Sequence, residues 1–160
     1  MHNRNILLVT AILASALPVR AQNEGRVAPI DAILSSIGAG NLARVDVLRL
    51  PRDAQFRVNV TPERLENWCE NKVTLRNSEL NREELTIVLK SVRLRSSSTK
   101  LDSLDVRWGI IFYSMLPKDK RIASLYFDKH GRQGAVNTLA TSFGPDFFPR
   151  LMKALHVSID

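Results

Sequence analysis

Apolar residues recur at helical spacing near both ends of the chain. In residues 29–37 they return every three or four positions, and Gly38 and Gly40 then interrupt the pattern. A similar stripe runs through residues 148–155, where Asp146 stands at the expected N-cap. These two patterns predict a helix at the start and a helix at the end of the folded chain.

Two further helices are predicted from their start signals. Thr61 is followed by Pro62, which suits a first helical position, and we expect Leu65, Trp68 and Cys69 to share the buried face of the helix that follows. A capping box predicts another helix, because Asn81 precedes Glu84 by three residues and a staple of Leu80 and Leu85 flanks the cap.

Alternation with a period of two predicts strands between these helices. Residues 44–50 and 55–60 are predicted to pair as a hairpin around the turn at Pro51, and residues 73–75 are predicted to form a short strand. A longer strand begins at Asp105. We expect its apolar side chains to divide between two faces: Val106, Trp108, Ile110 and Phe112 on one, and Ile111, Tyr113 and Met115 on the other.

That strand is followed by turn signals at 117–119 and 129–131, with extended patterns at 122–127 and 135–137. Three such strands joined by short turns form an antiparallel meander. The whole pattern predicts an α+β fold, in which helices pack on one face of a mainly antiparallel sheet built from the hairpin and the meander.

The first 21 residues have the three parts of a secretory signal peptide. Arg4 stands in a short basic start, residues 6–17 are an uncharged apolar run, and Ala21 precedes the predicted cleavage. A membrane anchor is the alternative, but a span needs about 20 apolar residues and this run has twelve. We therefore expect cleavage before Gln22, a flexible lead-in over 22–28, a single domain over 29–160, and a periplasmic or secreted protein.

Charge is the next constraint on function. The chain has 23 basic and 16 acidic side chains in 160 residues, and removal of Arg4 and Arg20 with the signal would leave 21 basic ones and a net charge of +5. No later segment is apolar enough for a membrane span. Cys69 is the only cysteine, so we expect it to be buried, or to pair between chains in an assembly component.

Histidines that could serve as catalytic bases are scarce after the signal. His130 is the stronger candidate, because Asp128 could orient its ring and Arg132 could bind a phosphate or an oxyanion. That arrangement would suit a small exported hydrolase acting on a phosphodiester or an envelope polymer. The alternative is an ordinary hairpin turn, since aspartate and glycine are the residues that such turns prefer.

Other cofactor and partner classes have little support. The spacing of histidines and cysteines predicts no metal site, and we expect no cofactor. The basic residues Arg93 and Arg95 have no aromatic residues interleaved for base stacking, so specific nucleic-acid binding is not expected.

The sequence therefore favours a non-catalytic binding or inhibitor-like protein over an enzyme. The expected partner is an envelope or secreted protein, or an anionic polymer. We expect the contacts on the meander or the basic loops, where aromatic, methionine and arginine side chains suit an interface. The candidate contact residues are Arg107, Tyr113, Met115, Arg93 and Arg95.

Overall fold

The computed structural model describes residues 28–51 and 54–159. The predicted signal peptide and the lead-in up to residue 27 lie outside the described residues. The described helices are α1 (Ala28–Gly38), α2 (Pro62–Trp68), α3 (Arg82–Lys90) and α4 (Phe147–Ala154). The described strands are β1 (Leu42–Arg49), β2 (Asn71–Arg76), β3 (Leu94–Ser96), β4 (Val106–Ser114), β5 (Arg121–Asp128), β6 (Gln133–Val136) and β7 (Leu139–Phe143). None of the described helices is long and apolar enough to cross a bilayer.

The seven strands form one sheet in the order β2-β1-β4-β5-β6-β7-β3. Every neighbouring pair is antiparallel. The predicted α+β class is thus confirmed, as is the meander of β4, β5 and β6, which continues into β7. Because β2 and β3 lie at the two ends of this order, each has one edge without a partner strand among the described residues.

The predicted hairpin is wrong. β1 pairs with β2 on one side and with β4 on the other, and residues 55–60 form no strand. The Val60 N–H donates to Asp105 Oδ1 at 3.1 Å, and the Val60 carbonyl accepts from the Val106 N–H at 2.8 Å. Of the alternating apolar residues in this segment, Val60 is buried and the ring of Phe56 stacks on that of Trp68 with centroids 5.8 Å apart, but Val58 is exposed.

Helices cover both faces of the sheet. Side chains of α1, α3 and α4 pack with Trp108, Ile110 and Phe112 in the larger core cluster. In the smaller cluster Leu65 of α2 packs with Ile111 on the opposite face. The prediction that helices lie on one face therefore holds for three of them, and α2 is the exception. A register shift between Val106 and Trp108 also moves Val106 from its predicted face to the α2 face.

All three predicted N-cap residues occupy N-cap positions, and two of them make the capping hydrogen bond. Thr61 Oγ1 accepts from the Arg64 N–H at 3.3 Å, and Asn81 Oδ1 accepts from the Glu84 N–H at 3.1 Å. Asp146 occupies the N-cap of α4 without a side-chain hydrogen bond. These local signals fix the helix starts whatever face the helix later covers.

The predicted burial of Trp68 is wrong, because this side chain is 43% exposed. α2 ends at Trp68, and Cys69 is its C-cap. The half-buried Cys69 thiol donates to the carbonyl of Arg49 at 3.3 Å and to that of Asn71 at 3.0 Å. The thiol thus joins the ends of two neighbouring strands, β1 and β2.

Candidate ligand-binding cleft

The predicted catalytic residues lie in the turn between β5 and β6. Asp128 Oδ1 accepts from the backbone N–H groups of Arg132 at 2.8 Å and of Gln133 at 3.3 Å. Gly131 has a φ of +70°, and His130 is exposed. Within the described part of the chain no hydrogen bond joins Asp128 to His130. These contacts fit the turn alternative, and a catalytic role for the three residues stays a prediction.

Arg107, a predicted partner contact, is largely used within the fold. Its side chain is 11% exposed and pairs with Asp105 at 2.9 Å. It also donates to the carbonyl of Ala54 at 2.8 Å and lies over the ring of Phe56, 5.0 Å from the centroid. Arg107 therefore holds the segment before α2 against the sheet.

The other predicted contact residues are spread over the molecule. Tyr113 is half-buried beneath the Arg44 guanidinium, which lies 4.1 Å from its ring centroid. Met115 is partly exposed in the turn after β4. Arg93 immediately precedes β3 and Arg95 lies within it, and both side chains are exposed at this end of the sheet. Arg93 and Arg95 therefore lie apart from Tyr113 and Met115, and partner contact at all four residues stays a prediction.

A cleft of about 650 Å³ opens beside α2, and we name it the α2 cleft. Such a concave site with converging polar groups is the usual form of a ligand-binding site. Side chains from α2, β5, the segment before β4 and the turn between β6 and β7 line it. They are Thr61, Pro62, Glu63, Glu66, Asn67, Leu101, Asp102, Arg121, Ile122, Ser124, Tyr126, Asn137 and Thr138.

Close packing beneath α2 positions this cleft. Leu65 is fully buried, in the cluster that also contains Leu48 and Tyr126. A Cβ placed on Gly109 would lie 3.1 Å from Leu65 Cδ2. The absence of a side chain at Gly109 therefore lets α2 approach the sheet closely enough for Glu66, one residue after Leu65, to reach β5.

Three side chains form a closed polar network at the cleft. Arg121 donates from its two terminal nitrogens to the two carboxylate oxygens of Glu66, at 2.9 and 3.1 Å. The Tyr126 hydroxyl donates to Glu66 and accepts from Arg121. A bidentate arginine-carboxylate pair with a third partner has a fixed geometry. The network therefore anchors α2 to β5 at the cleft.

The network and its burial shift two pKa values. The pKa of Tyr126 is raised to about 12, mainly by burial and further by the hydrogen bond to Glu66. The hydrogen bond with Ser124 and the charge of Arg121 lower this pKa, but by less. Burial alone would lower the pKa of Arg121, but hydrogen bonds and charges of Glu66 and Tyr126 raise it overall. At neutral pH the Tyr126 hydroxyl is therefore protonated and donates to Glu66.

This shift predicts a loss of stability at alkaline pH. The unfolded chain releases the tyrosine proton near pH 10, whereas the folded chain keeps it to about pH 12. Between these values the folded state binds more protons, so stability falls as pH rises, by on the order of 2 kcal/mol. Ultraviolet titration of tyrosinate should show a step near pH 12 that Tyr126→Phe abolishes. If the step persists in Tyr126→Phe, the shift does not belong to Tyr126.

Ser124 and Asn137 form the wall of the cleft beside this network. Asn137 Oδ1 accepts from the Ser124 N–H at 2.8 Å and from its hydroxyl at 3.3 Å. Asn137 has a φ of +52°, a left-handed conformation that asparagine tolerates better than most residues. Its oxygen is thereby committed, and its NH₂ group is left to donate to a ligand.

Several other polar groups of the cleft have no partner among the described residues. The side chains of Glu63, Asn67 and Asp102 are exposed at the cleft and make no hydrogen bond or ion pair there. The exposed Thr138 hydroxyl is likewise uncommitted. The cleft therefore offers hydrogen-bond donors and acceptors together, and its unpaired charges are negative.

Sequence reasoning missed this site because each member has an ordinary local explanation. In the sequence, Glu66 is one of several acidic residues shortly after the predicted helix start at Thr61, and Tyr126 lies within the strand pattern of residues 122–127. Sixty residues separate Glu66 from Tyr126, so only the fold brings them together. No group of histidine, cysteine, aspartate and glutamate within the described residues is arranged to hold a metal ion. Comparison with known protein families, with curated proteins and with solved structures finds no match for this chain.

Proposed function

We propose that this chain is a non-catalytic binding protein of an exported compartment, and that the α2 cleft holds its ligand. The observation that carries this proposal is the closed network of Glu66, Arg121 and Tyr126, beside which uncommitted amide, hydroxyl and carboxylate groups face the cleft. The export part rests on the signal-like pattern of residues 1–21.

Binding is favoured over catalysis because the reactive groups of the cleft are engaged with one another. Both carboxylate oxygens of Glu66 accept hydrogen bonds from Arg121, and one of them also accepts from Tyr126, so the carboxylate is engaged within the protein. Tyr126 keeps its proton at neutral pH, since its pKa is about 12. A nucleophile beside an activating base, the usual sign of covalent catalysis, is not found among the described cleft residues.

The ligand class follows from the charges and hydrogen-bonding groups that remain. A hydroxyl both donates and accepts, so a ligand rich in hydroxyls matches Asn67 and Thr138, which offer both kinds of group, and the remaining NH₂ donor of Asn137. Glu63 and Asp102 would repel an anion, and the one arginine of the cleft is already paired. We therefore propose a neutral glycan chain as the ligand, in place of the anionic polymer that the overall charge suggested.

The test is calorimetric titration of the full chain with maltotriose, cellotriose and the N-acetylglucosamine trimer, with trigalacturonate as an anionic probe. At least one neutral trisaccharide should bind saturably, and trigalacturonate should bind more weakly than it. Glu63→Ala should weaken that binding about tenfold, because a carboxylate that accepts from a hydroxyl contributes more than a neutral acceptor.

Glu83→Ala is the matched control. Glu83, like Glu63, is exposed in the first turn of a helix, but it belongs to α3 on the opposite face of the sheet. Each substitution removes one negative charge that stabilises a helix N-terminus, so both should affect helix stability similarly. A difference in ligand affinity between the two variants then reports contact between Glu63 and the ligand. Equal affinity in the two variants, or failure of every neutral trisaccharide to bind, would refute the proposed function.

A further inference from the structure

A second concave site lies on the face of the sheet opposite the α2 cleft. It has a volume of about 540 Å³, and we name it the β2 notch. Its lining comes from β1, β2, β4 and the chain after α4: Val47, Arg49, Pro51, Asn71, Lys72, Val73, Trp108, Val157 and Ser158. Val47 and Trp108 belong to the core cluster of α1, α3 and α4, which places the notch on the face of those three helices.

Arg49 is the unusual residue of the notch. Its guanidinium lies over the indole of Trp108, 4.9 Å from the ring centroid, and Trp108 is itself buried. Among the described residues this guanidinium has no hydrogen-bond acceptor and no carboxylate within ion-pair distance. By contrast, Arg44 and Arg121 are both paired with carboxylates. An arginine whose guanidinium lies over an aromatic ring can still offer its N–H groups to a carboxylate.

The free edge of β2 runs beside this notch. β2 has six residues, five of them exposed, and its outer edge has no partner strand among the described residues. A lysine often protects such an edge, but the Lys72 ammonium is paired with the buried Asp46 carboxylate, 2.7 Å away. Val73 is paired with Val47 in the ladder and is 48% exposed. The edge thus presents unpaired backbone groups next to an apolar side chain.

The two ends of the sheet differ in a way that singles out β2. β3, at the other end, has only three residues, and the exposed Arg95 lies within it. A short, charged edge strand is a poor template for another strand. β2 is twice as long and has the notch beside it, so it is the better template.

We propose that β2 takes an extended segment of a partner protein as an eighth strand, and that an aspartate or glutamate of this segment binds Arg49 in the notch. Backbone hydrogen bonds to the strand edge would give affinity, and alternate side chains entering the notch would give specificity. Charge complementarity selects an acidic partner, since Arg49 has no carboxylate partner among the described residues and no acidic residue lines the notch. A second copy of this chain would bring two β2 strands together, and β2 contains no acidic residue that could pair with Arg49.

The proposal is tested with a synthetic probe on the full chain. The probe is a fluorescent seven-residue peptide with the sequence Thr-Val-Thr-Glu-Thr-Val-Thr. In an extended strand its glutamate and its two valines lie on the same face. Anisotropy should show saturable binding. Replacing glutamate by glutamine in the peptide, or making Arg49→Gln in the protein, should weaken it about tenfold or more, as expected for a lost charge-assisted pair.

The two changes together should weaken binding no more than either alone, because they remove the same contact. Arg95→Gln, on the strand at the other end of the sheet, is the matched control and should leave affinity unchanged. Two N-methylated peptides test strand addition without altering the protein. One peptide is methylated on the backbone nitrogens of its threonines, and the other on those of its valines and glutamate. In an added strand only every second N–H points toward β2, so only one of the two peptides should lose binding.

Equal affinity for the glutamate and glutamine peptides would overturn the carboxylate contact with Arg49. Equal binding of both N-methylated peptides would overturn strand addition. A dimer of the chain that excludes the peptide would show that a second copy is the occupant of β2, which contradicts the proposal. Because the notch and the α2 cleft lie on opposite faces, none of these outcomes bears on glycan binding.

Discussion

Gly134→Ala is expected to lower the free energy of unfolding by about 3 kcal/mol or more. A Cβ on Gly134 would lie 1.8 Å from the carbonyl oxygen of Tyr126 and 3.1 Å from Cα of Phe127, and both are backbone atoms. Strand β5 cannot easily withdraw, because it is paired with β4 on its other side. Urea denaturation of the two proteins measures this loss.

The matched control for that substitution is Gly144→Ala. No atom lies within 4 Å of a Cβ placed there, and Gly144 is not in the left-handed region. Its stability should stay within about 0.5 kcal/mol of the wild type. Since Tyr126 belongs to the network at the cleft, a shift of β5 in Gly134→Ala should also weaken ligand binding. Wild-type stability of Gly134→Ala would contradict the close approach of β6 to β5.

Leu65→Ala is expected to cost about 3 kcal/mol, because Leu65 is fully buried between α2 and the sheet and its loss would leave a cavity. The effect extends to function. α2 carries Glu63, Glu66 and Asn67 into the cleft, so looser packing of α2 should reduce affinity for the glycan as well as stability. Denaturation and calorimetric titration of the same preparation measure both effects.

A double-mutant cycle with Gly109→Ala tests the mechanism of this loss. Alone, Gly109→Ala should destabilise the protein, since the new Cβ would lie 3.1 Å from Leu65 Cδ2. In the Leu65→Ala background the added methyl group should be tolerated, which gives a coupling energy of about 1 kcal/mol. Strictly additive effects would show that Gly109 does not accommodate Leu65.

The sequence was most informative where a structural element is specified by neighbouring residues. Thr61 and Asn81 cap their helices as predicted, because an N-cap depends on contacts within four residues. Pairing of β1 depends instead on contacts far along the chain. Leu75 lies opposite Val45, thirty residues earlier, and no local pattern distinguishes this partner from the nearer segment 55–60. The predicted hairpin failed for that reason.

The candidate site was harder to predict than the fold. Glu66 is an unremarkable acid in a short helix, and its role follows from the distance to Arg121 and Tyr126 in the folded chain. Arg107, predicted to contact a partner, is bound to Asp105 and Ala54 within the fold, and its contact with a partner stays a prediction. Composition identifies arginines as interface residues in general, but it does not show which of them the fold already uses.

The β2 notch also could not be predicted from the sequence, because the unpaired state of Arg49 among the described residues depends on the fold. Arg49 stands in a strand pattern among other arginines, and nothing nearby in the sequence marks it. Its distinction is that Trp108, from a neighbouring strand, lies under its guanidinium while no carboxylate approaches it among the described residues. Such a residue is identified by comparing the partners of every arginine, which requires the fold.

Nuclear magnetic resonance mapping of a bound neutral trisaccharide tests the central claim, that the α2 cleft is the ligand site, most directly. Titration of the isotope-labelled full chain should shift the side-chain amides of Asn67 and Asn137 and the backbone amide of Ser124, and it should leave β2 and β3 unperturbed. Saturable shifts confined to the cleft are the predicted result. Shifts at the β2 notch or around His130, with none at Asn67, Asn137 or Ser124, would contradict the account.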